Sequence, residues 1–167
     1  MKQTPHSPVR MKNAGGVRSV LLAPTGCFDV EFEDDGARCT IKTPFHYTLM
    51  QCEPDCDGSS FDERLEIKNG VRTVTHTLTL LSDRNGAQAW LETDFLSRLR
   101  FDGALAVVEL NDGRRLLAGM SSRLYDEYPL KLRSATALSG CRPADVPQVK
   151  LVLEYTDDAF AAEIDLN

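Results

Sequence analysis

The sequence predicts a mainly β fold, an antiparallel β-sandwich or partly open barrel with one flanking α-helix. Three observations predict it. Apolar and polar residues alternate with period two along most of the chain. The turn signals Asn69-Gly70 and Asn111-Asp112-Gly113 each divide a longer alternating run into two halves. Only one stretch, 86–100, changes to a helical period. Many short strands and one helix bury their apolar faces as packed layers.

The elements follow in chain order. Met1 to Gly16 is polar, with Pro5, Pro8 and Gly15-Gly16, and reads as a flexible arm ahead of one β-rich domain over 17–167. Val17 to Ala23 is a short apolar run closed by Pro24-Thr25-Gly26. Cys27 to Glu33 alternates, with Phe28, Val30 and Phe32 on one face and acids on the other. After Asp34-Asp35-Gly36, the extended pattern resumes from Arg38 to Thr43, and Tyr47 to Cys52 gives another strand. Together these pieces predict a meander of antiparallel strands.

From Phe61 to Leu81 a type I′ turn at Asn69-Gly70 fixes a long hairpin. It pairs Lys68 with Val71, Ile67 with Arg72, Leu65 with Val74, Glu63 with His76 and Phe61 with Leu78. One face then carries Phe61, Leu65, Ile67, Val74, Leu78 and Leu80 toward a core. The other carries Arg64, Glu66, Lys68 and the threonines Thr73, Thr75, Thr77 and Thr79.

In 86–100, Leu91, Phe95, Leu96 and Leu99 share a helical face with Trp90 at its margin. Asp83 or Asn85 caps the start and Gly103 stops the helix. Leu105 to Gly119 is a second hairpin; a three-residue loop sets Glu109 against Arg115 and Val108 against Leu116, and is preferred to a two-residue Asp112-Gly113 loop, which would set Glu109 against Leu116. Tyr128–Ala137 and Gln148–Tyr155 complete the strands, with a short piece at Ala159–Ile164.

Composition narrows the function classes. A chain of 167 residues with 42% hydrophobic and 26% charged residues is globular rather than disordered. At this length, folding buries roughly 70% of the unfolded surface, so neither metal nor disulfides are required. Nineteen Lys+Arg against 25 Asp+Glu leave a net charge of −6, which provides no basic footprint for nucleic acid. No apolar run reaches the ~20 residues of a membrane span, and the start lacks a secretory core, so a cytoplasmic origin is expected. Five cysteines, an odd number, point to reduced thiols.

The candidate chemistry is sparse. Cys52 and Cys56 with His46 offer two sulfurs and a nitrogen, but the remaining cysteines fall at no zinc-ligand spacing. Glu53, Asp55, Asp57, Gly58 and Ser59 echo a calcium loop, yet Arg64 stands where the bidentate Glu belongs. Glu63 and His76 form an acid–base pair across the hairpin, equally explained as an ion pair at the rim of an apolar face. No nucleophile or phosphate-binding motif accompanies them. The residues therefore predict no enzyme, no cofactor and no metal.

Four stretches carry a resemblance. They are Thr75-His76-Thr77-Leu78-Thr79-Leu80; the helix; Val107-Val108-Glu109-Leu110-Asn111-Asp112-Gly113 with Leu116-Leu117-Ala118-Gly119; and Tyr128-Pro129-Leu130-Lys131-Leu132 with Ser139-Gly140 and Val149 to Tyr155. In this order they resemble small tail-associated structural proteins encoded by bacterial prophages, of the tail-tube kind. The resemblance implies a non-enzymatic virion or prophage component, tail-tube-like or accessory, that assembles in the cytoplasm. Its partners would be copies of itself or other virion proteins, without direct nucleic-acid recognition and without a membrane. Trp90 to Leu99 would be the flanking helix. The hairpin would be the inter-subunit element, with Arg64, Glu66, Lys68, Asn69, Gly70, Thr73, Thr75 and Thr77 as interface residues. The alternatives are a β-sandwich module for a small ligand or sugar and, third, a metal-assisted enzyme using the Cys52–Glu63 region.

Overall fold

In a computed structural model, residues 16–42, 50–52, 58–83 and 88–165 are described. The expected arm, apart from Gly16, lies outside them, as do His46, Glu53, Asp55, Cys56 and Asp57. The chain is mainly β, with thirteen strands and one α-helix among the described residues.

The strands are β1 Val17–Ala23, β2 Val30–Phe32, β3 Arg38–Ile41, β4 Met50–Cys52, β5 Ser60–Lys68, β6 Val71–Asp83, β7 Leu105–Leu110, β8 Arg115–Ala118, β9 Met120–Ser121, β10 Asp126–Glu127, β11 Lys131–Leu138, β12 Gln148–Asp157 and β13 Ala162–Ile164. The larger sheet runs β2-β3-β13-β8-β7-β1-β4 and the smaller β11-β12-β6-β5, with β9 and β10 as a separate pair. Neither sheet closes on itself.

Both hairpins have the expected register. Lys68 faces Val71, Glu63 faces His76 and Phe61 faces Leu78. Glu109 faces Arg115 and Val108 faces Leu116, with Gly113 at φ 91°. The N-terminal meander is different from expectation. β1 lies between β7 and β4 rather than beside β2, and β3 runs parallel to β13. An apolar run such as Val17–Ala23 is suited to a strand covered on both sides, and the centre of a sheet supplies that.

One buried cluster joins the two sheets: Val20 and Leu22 of β1 and Ala106 and Val108 of β7 meet Leu78 and Leu80 of β6 and Leu151 and Leu153 of β12. The alternate residues of the larger sheet, Leu105, Val107 and Leu117, form a second cluster with Phe28, Cys39 and Ile164. The larger sheet is thus buried on both faces, which explains the near-continuous apolar run of β7.

The helix is shorter than its periodicity suggested. Gln88–Leu91 forms a 3-10 turn, Glu92 is extended (φ −66°, ψ 135°), and α1 spans Thr93–Phe101. Glu92 occupies the N-cap position without a side-chain cap, in place of Asp83, which ends β6, or Asn85, which lies outside the described residues. Trp90 is buried rather than marginal. Gly103 ends the helix as expected: its φ is 73°, and its N–H and that of Asp102 both donate to the Arg98 carbonyl.

Two variants test this packing. Leu78→Ala, at a fully buried site, should lower unfolding free energy by about 2–5 kcal/mol in a urea titration. Gly103→Ala would place a methyl 2.6 Å from Pro129 Cβ and 2.7 Å from the Leu130 carbonyl at positive φ. A clear fall in the thermal midpoint should follow.

Candidate functional site

The β5–β6 hairpin brings together all the residues expected at the interface. Asn69 and Gly70 adopt φ values of 52° and 77°, both in the left-handed region that a type I′ turn needs. Arg64, Glu66 and Lys68 follow one another along one face of β5. Glu66 lies between the two cations, 3.1 Å from Arg64 Nη2 and 3.7 Å from Lys68 Nζ. Both cations are largely in water, where such pairs contribute roughly 0–1 kcal/mol. Across the ladder, Glu66 faces Thr73, Arg64 faces Thr75 and Asp62 faces Thr77. The threonines are half-buried, and Thr75, Thr77 and Thr79 also pair with β12.

The opposite face departs from the expectation of a core. Leu65 is 40% exposed and Ile67 68% exposed, and on the polar face Val71, paired with Lys68 beside the turn, is 65% exposed. The cause is the length of β12, whose pairing with β6 stops at Asp157–Val74. Beyond that point the hairpin is a two-strand ribbon. A signal for this was in the sequence: the register sets Arg72 opposite Ile67, and an arginine is not placed in a core without a partner.

Further down the same face, Glu63 and His76 form a clamp. The His76 ring is fully buried, stacked on Tyr155 with centroids 4.0 Å apart and 7° between planes, with Phe61 at 6.2 Å. Its Nε2 donates to the Ala159 carbonyl at 3.0 Å, while Nδ1 lies 3.0 Å from Glu63 Oε1. The same carboxylate oxygen accepts the Ala161 N–H at 2.6 Å. Both side chains thus hold the 159–161 segment, where the chain passes from β12 to β13. The ring is thus enclosed by Tyr155, Phe61, Glu63 and the Ala159 carbonyl. Burial also pushes the Tyr155 phenol well up, with the Glu63 and Asp157 carboxylates adding to the effect.

Ser59, read as part of a calcium loop, is occupied elsewhere. Its Oγ accepts from Leu81 N–H at 2.9 Å and lies 3.3 Å from the Leu81 carbonyl, tying the start of β5 to β6. Among the described residues no group of three or more His, Cys, Asp or Glu is placed to hold a metal ion, and no helix is long and apolar enough to cross a membrane. Cys27, Cys39 and Cys141 are free thiols. Burial pushes Cys39 up to about 12, with the Asp165 carboxylate contributing, whereas Cys141 is exposed.

Compared with family models, with characterised proteins and with solved structures, the chain matches none.

Two outcomes are expected. Glu63→Ala leaves the Ala161 N–H without its acceptor and should cost about 1–3 kcal/mol. Faster amide exchange at Ala161 would accompany it, and Glu63→Gln, which keeps an oxygen, should lose less. Because alkylation needs the thiolate, iodoacetamide at about pH 8 should modify Cys141 and spare Cys39 until the protein unfolds. Peptide mass mapping reads the order.

Proposed function

We propose that this protein is a non-catalytic structural subunit of the prophage or virion kind, tail-tube-like or tail-accessory, working by self-assembly or docking through the β5–β6 hairpin. The observation that carries this reading is the ribbon tip, where Ile67 and Val71 meet solvent on a two-strand extension with no third strand, and Leu65 is exposed at its base where the third strand ends. Exposed apolar side chains on a projecting element mark contact surfaces. The smaller sheet adds support, because β5 and β11 are both edge strands with open backbone groups. Head-to-tail packing of copies satisfies such edges in a closed ring, whereas an isolated subunit leaves them to water.

The polar face of the hairpin suits the same role. Its charges alternate in sign along β5, which favours one register of approach over a slipped one.

Light scattering over a concentration series tests the proposal. The wild-type mass should rise to several times 18.5 kDa as concentration increases. Ile67→Asp removes the apolar contact, and the paired reversal Glu66→Lys with Lys68→Glu inverts the charge order. Each should weaken association about tenfold or more, the equivalent of about 1.4 kcal/mol. Full assembly by both variants would remove the hairpin from the interface.

A further inference from the structure

The hairpin tip has a complementary feature at the opposite end of its own sheet. The β6 strand runs thirteen residues, from Val71 beside the turn to Asp83. At about 3.3 Å per residue, its ends lie about 40 Å apart. At the Asp83 end, Asp83 pairs with Gln148 and Gln148 with Leu138. There the loop from Ser139 to Pro147 joins β11 to β12 and borders a groove of about 770 Å³.

The groove has a mixed lining, with Ser139 and Gln148 beside its apolar residues, and one charge. Ala137, Leu138, Ala144 and Val146 line it, and Leu138 and Val146 are 43% and 63% exposed. Of the lining residues only Asp145 is charged. Its Oδ2 accepts the N–H groups of Cys141 and Arg142 at 2.9 and 2.8 Å, which holds the carboxyl below its usual range and keeps it anionic. Gly140 adopts φ 80°, where an added Cβ would come 2.5 Å from Asp145 Cβ. The loop is therefore shaped before anything binds, which lowers the entropy cost of association.

The tip has the matching chemistry. It offers three apolar side chains, Leu65, Ile67 and Val71, and three cations, Arg64, Lys68 and Arg72, against the single acid Glu66. We infer that the 138–148 groove receives the β5–β6 tip of a second copy, head to tail along the strand axis. This rests on the assembly role proposed for the hairpin and names the surface it meets. The tip would enter end-on, so that Ile67 with Arg72 on one face of the ribbon and Val71 with Lys68 on the other each bring an apolar side chain to Leu138 or Val146 and a cation toward Asp145. A tip-to-tip contact would instead oppose like charges, which is unfavourable. Because tip and groove are different surfaces, the contact is heterologous and propagates from copy to copy.

Cysteine cross-linking of the full chain tests the inference, since Cys141 already lies in the groove lining and is exposed. Val71→Cys, at an exposed site that folding does not depend on, should give a ladder of dimers, trimers and higher species under mild oxidation. Peptide mapping should place the link between position 71 of one copy and Cys141 of the next, and adding Cys141→Ser should abolish it. Asp145→Asn, which keeps an acceptor for the loop amides, should weaken association about threefold. Cross-links that stop at dimers and persist with Cys141→Ser would overturn the inference in favour of tip-to-tip pairing. Wild-type assembly without a 71–141 link would overturn the groove as receptor and leave the hairpin's role standing. A wild-type protein that stays at 18.5 kDa at every concentration would overturn both.

Discussion

The antiparallel ladder between β6 and β12 is the constraint from which most of the structure follows. It runs for ten consecutive pairs, from Asp83–Gln148 to Val74–Asp157. Its inward residues Leu78, Leu80, Leu151 and Leu153 are fully buried and form the floor on which β1 and β7 pack. The same pairing sets Tyr155 beside His76, so the ring stack and the clamp on 159–161 depend on it. Where the ladder stops, burial stops, and the free hairpin tip begins.

Local pattern made much of this legible. Asn69-Gly70 specifies turn geometry directly, the Glu109–Arg115 pair selects the three-residue loop at Asn111-Asp112-Gly113, and a turn of known length fixes every pair that follows. Both registers could therefore be written down from the residues. The glycine that ends the helix was legible for the same reason: a left-handed residue after the last turn is a local requirement. The hairpin's interface residues were likewise brought together because two-residue periodicity sorts side chains onto faces.

The remainder depended on partners distant in sequence. Nothing in Arg38–Ile41 announces that it will run parallel to Ala162–Ile164, because strand partners are chosen by packing at long range. Alternation correctly placed Leu65 and Ile67 on the apolar face, but it is silent on where the covering layer ends. Arg72 on that face, opposite Ile67, was the residue that contradicted burial near the turn. At the helix, Trp90 and Leu91 fit the helical stripe, yet the extended backbone at Glu92 divides the run into a 3-10 turn and a true helix.

The clamp on the 159–161 segment has a mechanical consequence. Glu63 and His76 hold the chain at the point where it leaves the smaller sheet for β13 in the larger one. A pull applied between the hairpin turn and the 138–148 loop acts nearly parallel to β6 and β12. Strands loaded in that direction resist by shearing all their hydrogen bonds together, whereas a sideways pull peels them apart one at a time. The clamp passes part of that load into the larger sheet, so the sandwich resists tension along its strands as one body and yields most readily to forces across them.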